Sequence, residues 1–243
     1  MVRVVVVLVA LLVIEATVYC ITGSEVLTRV EEILSREKDR ESLVELVLYR
    51  DGKEKERREM RIWNSGKEKR VVKFVSPESI KGIGVLSLPN GEMYVYLPAY
   101  KRVRAIHGSA KDQSFQATDF SYREIGSFNY SQDFEAEILS EDQNNYVLAL
   151  KRKPNSEWSY DKVLMVVCKN TFLPKKLEMY ERDRIKKVLE ILETDKKGNY
   201  YILSRIKMTT LTANTSTEVI LKDVKFDQGL ENKGIFTQRF LER

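Results

Sequence analysis

Along most of the chain, hydrophobic and polar residues alternate with a period of two. Runs of this kind at residues 42–50, 55–64 and 69–76 are joined by the polar pairs Asp51-Gly52 and Ser65-Gly66. That pattern predicts strands with one covered face, and such short connections pair neighbours antiparallel. Asn90-Gly91 suits the two-residue loop of a type I′ hairpin, which sets Pro89 opposite Glu92. In that register Leu86, Leu88, Met93, Val95 and Leu97 share one aliphatic face, while Ser87, Tyr94 and Tyr96 share the other. A basic strand at 101–106 and a loop without periodicity at 107–118 follow. Ser121 with Glu124 fits a capping box that starts a short helix, with Phe120 and Ile125 as the hydrophobic staple across it. Further strands are expected at 134–139, 146–151, 162–169, 175–181, 186–193, 200–209 and 218–226; local propensity also allows a short helix at 186–193.

Helical periodicity is strong in one place. Residues 24–38 carry Val26, Val30, Ile33 and Leu34 on one stripe, with Ser24 as the expected cap and Glu31, Glu32, Glu37, Arg29 and Arg36 on the polar face. That mixed face is poor for anionic lipid and predicts packing on a sheet. Roughly a dozen strands against one long helix cannot form an open sheet covered by helices on both faces. A curled sheet burying its own inner face, with the helix as plug or lid, satisfies the count. Barrels of more than about eight strands enclose more space than side chains readily fill and hold ligand, solvent or a plug, so the aliphatic inner face suits apolar cargo, with a filled core as the alternative.

Several stretches then carry a family resemblance. KGIGVLSL, EMYVYLPAYKRVRAI and DQSFQATDFSYREI, with LMVVCKNTFLPKKLEMYERD and the ending LENKGIFTQRFLER, resemble the bacterial outer-membrane lipoprotein-sorting proteins of the LolA/LolB-like superfamily. The resemblance implies a mainly β (α+β) fold, a half-open antiparallel β-barrel of about eleven strands with a helical lid. It implies a periplasmic carrier that binds acyl chains of lipoproteins or lipids and shuttles them toward the outer membrane, with an inner-membrane exporter as donor and an outer-membrane acceptor. A related half-barrel serves periplasmic stress regulators, so a lipid-sensing interaction module acting on a membrane partner is the alternative. Regulators of that kind generally add a C-terminal domain, which is not expected here, so the alternative stands as a lone sensing domain.

The N-terminus agrees with export. Arg3 precedes an apolar run at 4–14, too short for the roughly 20 residues that span a bilayer, and residues 1–23 read as a cleaved signal peptide ahead of a single domain at 24–243. Tyr19 fits poorly in a lipidation motif at Cys20. With 41 basic and 36 acidic residues interspersed, the net charge of +5 describes a mixed solvated surface and does not point to nucleic acid. Cys168 stands in an apolar strand pattern, where a packed thiol is expected.

Candidate chemistry is sparse. His107 is the single histidine and lies in a polar loop, Glu135 and Glu137 read as solvent-facing, and neither a nucleophile set, a phosphate loop nor a metal-ligand spacing is present. A non-enzymatic monomer without cofactor or metal is expected. Met60, Ile62, Leu86, Leu88, Met93, Val95 and Leu97 are the candidate cavity lining, and Arg102 and Arg104, which share a strand face with Lys101 on the other, are candidate headgroup contacts at the rim. Trp63, Tyr94 and Tyr96 are candidates to support the cavity mouth.

Overall fold

The computed structural model describes residues 20–126 and 128–243; the signal-peptide reading falls largely on residues outside that range. Thirteen strands form one sheet: β1 (Asp39–Arg50), β2 (Lys53–Ser65), β3 (Lys69–Ser76), β4 (Gly84–Ser87), β5 (Met93–Leu97), β6 (Arg102–Ala105), β7 (Phe134–Glu141), β8 (Asn145–Arg152), β9 (Lys162–Cys168), β10 (Pro174–Glu181), β11 (Arg184–Lys197), β12 (Tyr200–Thr210) and β13 (Thr215–Phe226). The number exceeds the eleven that the resemblance implies and matches the strands expected from alternation, with β4 and β6, four residues each, holding full places in the ladder. Residues 186–193, locally ambiguous, are strand because both flanks pair, with β10 and with β12.

Every neighbouring pair is antiparallel, in the order β6-β5-β4-β3-β2-β1-β13-β12-β11-β10-β9-β8-β7. Each half is a meander, and β1 with β13 joins the two halves. The edges are therefore β6 and β7, consecutive in sequence, and the sheet does not close between them. The result is a half-open barrel. The segment between these edges carries the short helices α2 (Tyr122–Gly126) and α3 (Tyr130–Asp133) and is positioned to cover the interior.

The long helix α1 (Gly23–Leu34) starts one residue before the expected position. Its cap is Thr22: the Thr22 hydroxyl accepts from the Glu25 amide at 3.2 Å, and the Glu25 carboxylate accepts from the Thr22 amide at 2.8 Å. Val26, Leu27 and Val30 are buried, and the helix packs on β7, β12 and α3. Glu31 and Glu37 are buried too, in contrast to their expected solvent position. Glu31 accepts from the Ser131 amide and hydroxyl, both at 2.7 Å, which ties α1 to α3. A β-carbon on Gly23 would lie 2.6 Å from the Ala136 carbonyl oxygen and the Glu137 α-carbon. Both obstacles are backbone, so Gly23→Ala should destabilise by about 1–3 kcal/mol in a urea melt.

The central hairpin corrects the expected register. Leu88 donates to Glu92 at 2.9 Å and Gly91 donates to Leu88 at 3.1 Å, so the loop is Pro89-Asn90-Gly91 and Ser87 faces Met93. A two-residue loop would make Pro89 and Glu92 exchange both amide hydrogen bonds, and proline has no N–H to give. A longer loop frees Pro89 from that demand, and Gly91 takes the left-handed conformation at φ 75°. The one-residue slip reverses alternate faces. Val85, Met93 and Val95 point into the main core, whereas Leu86 and Leu88 point outward with Tyr94 and Tyr96. There the C-terminal segment covers them: Trp63, Val71 and Leu86 pack with Leu230, Ile235 and Leu241, and Trp63 meets Phe240 edge-on at 5.2 Å. Trp63, Tyr94 and Tyr96 thus belong to the outer face rather than the cavity mouth.

Candidate functional site

The interior of the barrel is filled around β6, β5 and β4 and hollow toward β1, β2, β12 and β13. A cavity of about 200 Å³ lies there. Val44, Met60, Ile62, Ile202, Ile206, Met208, Val219 and Leu221 form its strand walls, and Leu34, Phe120, Ile125, Phe128 and Tyr130 contribute from the helices and the covering segment. Of the residues read from sequence, Met60 and Ile62 line this cavity. Met93 and Val95 are buried in the same core beyond it, with Leu97 half-buried beside them. Leu86 and Leu88 lie on the opposite face. Arg102 and Arg104 are exposed on the edge strand β6, with the Arg104 guanidinium 5.7 Å from the Tyr100 ring, and neither lines the cavity.

The cover is anchored by polar groups of the barrel wall. Glu124 closes the capping box, accepting from the Ser121 amide at 2.6 Å, while the Ser121 hydroxyl accepts from the Glu124 amide at 3.2 Å. The same carboxylate accepts from the Tyr160 hydroxyl at 2.8 Å and pairs with Lys187 of β11 at 2.9 Å. Burial, with Glu124 adjacent, raises the Tyr160 phenol well above its ordinary value and keeps it a neutral donor. Nearer β6, the loop expected to lack periodicity inserts a wholly buried Phe115, stacked on Phe74 with ring centroids 5.1 Å apart. Asp119 clamps it, accepting from Thr215 at 2.5 Å and Thr217 at 2.7 Å.

Sequence reasoning missed a polar tier at one end of the cavity. Arg40 of β1, Asn64 of β2 and Arg70 of β3 are direct cross-strand partners, and all three line the cavity. The signal was present as continued alternation. Arg40, Ser42 and Val44 occupy alternate positions of β1, as do Met60, Ile62 and Asn64 of β2 and Arg70, Val72 and Phe74 of β3. Arg70 donates to the Ile125 carbonyl of the cover at 2.9 Å; the Asn64 amide oxygen, turned toward it, accepts from Nε at 2.8 Å and Nη2 at 3.0 Å. Burial first and the neighbouring Arg40 second pull the Arg70 guanidinium down to about 10, still charged at neutral pH. Glu37 lies 3.4 Å from Arg40 Nε.

Burial pushes the Glu37 carboxyl above the usual carboxylate range, and Arg40 only partly offsets it. The folded state therefore holds this proton more tightly than the unfolded chain. Its contribution is fully present below the ordinary value near 4.5 and is lost as pH rises through the raised one. The Glu37→Gln variant should accordingly gain stability relative to wild type on going from pH 4 to pH 7 in paired urea melts.

Among the described residues, no helix is long and apolar enough to cross a membrane, and no group of three His, Cys, Asp or Glu is placed to hold a metal ion. His107, Glu135 and Glu137 are exposed, and Glu137 pairs with Lys151 at 2.9 Å.

Similarity to known proteins agrees with this architecture. A DUF1329 family protein from Desulfovibrio piger superposes with a TM-score of 0.82 at 22% identity, covering 90% of this chain and 97% of the other. A putative outer membrane lipoprotein-sorting protein domain from Vibrio parahaemolyticus gives 0.82 at 24% identity, covering 91% and 98%. A LolA superfamily protein from Nitrosomonas europaea gives 0.75 at 21% identity, covering 91% and 100%. No curated protein matches the sequence significantly. A family model described as "Uncharacterized protein" matches residues 66–243, well over half of the chain. The chain belongs to the family of that model, and its half-open barrel shares the fold of the Vibrio lipoprotein-sorting protein domain and the Nitrosomonas LolA superfamily protein.

Proposed function

We propose that the protein is a periplasmic carrier that holds acyl chains of lipoproteins or lipids inside the barrel and shuttles them toward the outer membrane. The observation that carries this reading is the apolar cavity under a cover that bridges the two free edges of the sheet. Met60 and Ile62 form the floor of the acyl slot, and Met93, Val95 and Leu97 lie where a longer chain would extend once the cover moves. The cavity measures about 200 Å³ and is partly open to solvent. That is room for a short acyl segment. A chain longer than this would be admitted by an outward shift of the segment between β6 and β7.

The energetics need no chemical step. Ten buried methylenes at about 0.8 kcal/mol each contribute roughly 8 kcal/mol, the scale of a micromolar complex before the costs of association. Met60 and Met208 in the wall can repack around chains of different shape. An inner-membrane exporter would serve as donor and an outer-membrane acceptor would receive the cargo. Transfer of a fluorescent acylated peptide from donor to acceptor vesicles tests the reading. The rate should rise in proportion to protein concentration; a rate equal to that of buffer alone would overturn it.

A further inference from the structure

We infer that the tier of Arg40, Asn64 and Arg70 is a binding site for an anionic lipid head group, a carboxylate or a phosphate, whose acyl chain lies in the cavity. This rests on the carrier reading and adds to it the chemistry of the cargo's polar end. The two arginines stand on strands separated only by β2, a Cα spacing of roughly 10 Å, within which two long side chains can converge on one anion. Arg70 is held in a fixed plane by Asn64 and the Ile125 carbonyl.

Arg40 is different. Its side chain is 19% exposed and lines the cavity, and among the described residues its guanidinium makes no hydrogen bond, with Glu37 as its ion-pair neighbour. A guanidinium carries five N–H donors, and those of Arg40 keep contact with solvent while lacking a protein acceptor, so they are free to take one that enters from the cavity. Buried Arg70 and part-exposed Arg40, with Glu37 as the neighbouring carboxylate, leave an excess positive charge in the tier. The Glu37 carboxylate has one oxygen without a partner, so it does not span the pair. An anion entering from the cavity would satisfy Arg40 and offset its repulsion with Arg70. Ile62, one step further along β2, and Val44, two steps further along β1 beyond Ser42, lead away from the tier and supply the path for the chain.

The test compares cis-parinaric acid with its methyl ester, by fluorescence on the purified protein, in wild type, Arg40→Gln and Arg40→Gln/Arg70→Gln. The acid should bind wild type at least about tenfold more tightly than the ester, a discrimination of about 1.4 kcal/mol. That ratio should fall toward one in both variants. Because Arg40 has no hydrogen bond to lose, the single variant decides the matter if the double variant fails to fold. A wild-type ratio near one both in this pair and in lysophosphatidate against monoacylglycerol, or a tenfold ratio that survives Arg40→Gln, overturns the head-group site and leaves the carrier reading standing. Failure of both acid and ester to bind removes the carrier reading and the site together. Lysophosphatidate against monoacylglycerol repeats the comparison for phosphate, and a preference in either pair supports the site. Displacement of the acid by inorganic phosphate at millimolar concentration would mean a free-anion site and overturn the lipid assignment.

Discussion

Ile62→Glu should weaken uptake of a fluorescent long-chain fatty acid by about a hundredfold or more, whereas Leu88→Glu should leave it within about twofold. Ile62 lines the apolar cavity between Val44 and Met60 on one side and the polar tier on the other. A carboxylate there faces the path of the chain, and keeping it charged in that setting is costly. Losing roughly 3 kcal/mol of chain burial already corresponds to about a hundredfold in affinity. Leu88 is the control because it sits on the outer face of the sheet, under the C-terminal segment. Titration of both variants, after thermal melts have verified their folding, separates the faces. Loss of uptake in Leu88→Glu with retention in Ile62→Glu would place the slot on the wrong side of the sheet.

Phe115→Ala is expected to cost about 3–5 kcal/mol, the range for removing a fully buried aromatic ring. Phe115 is the deepest anchor of the covering segment: it is wholly buried, stacks on Phe74 and meets the Tyr122 ring edge-on at 5.4 Å. Its loss removes core packing and loosens the attachment of the cover to β3. The variant should therefore show a lower urea midpoint and, below that midpoint, faster uptake of fatty acid in stopped-flow fluorescence. Destabilisation with an unchanged uptake rate would mean that this part of the segment stays seated during loading, leaving the movement to α2 and α3.

The strands were legible because each carries a covered face and a period of two, and that local signal survives tertiary context. Which strands meet across the chain was not legible. The β1 and β13 pairing that joins the two meanders links residues far apart in sequence and has no local marker. The central hairpin shows how a turn rule yields to a stronger constraint. Asn90-Gly91 suits a type I′ loop, but Pro89 cannot donate to Glu92, and the resulting slip moved Leu86 and Leu88 out of the interior. The cap of α1 lay at Thr22, inside the stretch assigned to the export signal. In the site, Met60 and Ile62 followed from alternation. Arg40 and Arg70 followed from the same alternation carried one polar residue further, where a search for apolar stripes stops. The rim arginines drew attention because they cluster in sequence, yet Arg102 and Arg104 lie on an exposed edge strand, and the buried pair is clustered only by cross-strand register.

The central claim is that the barrel interior carries acyl chains, and it is tested most directly by mass spectrometry of the organic extract of protein purified natively, without detergent, from an exporting host. The account predicts a lipid or acylated peptide recovered in near-stoichiometric amount from wild type and depleted from Ile62→Glu. An extract free of acyl species, together with no uptake of added fatty acid by the folded protein, would contradict it.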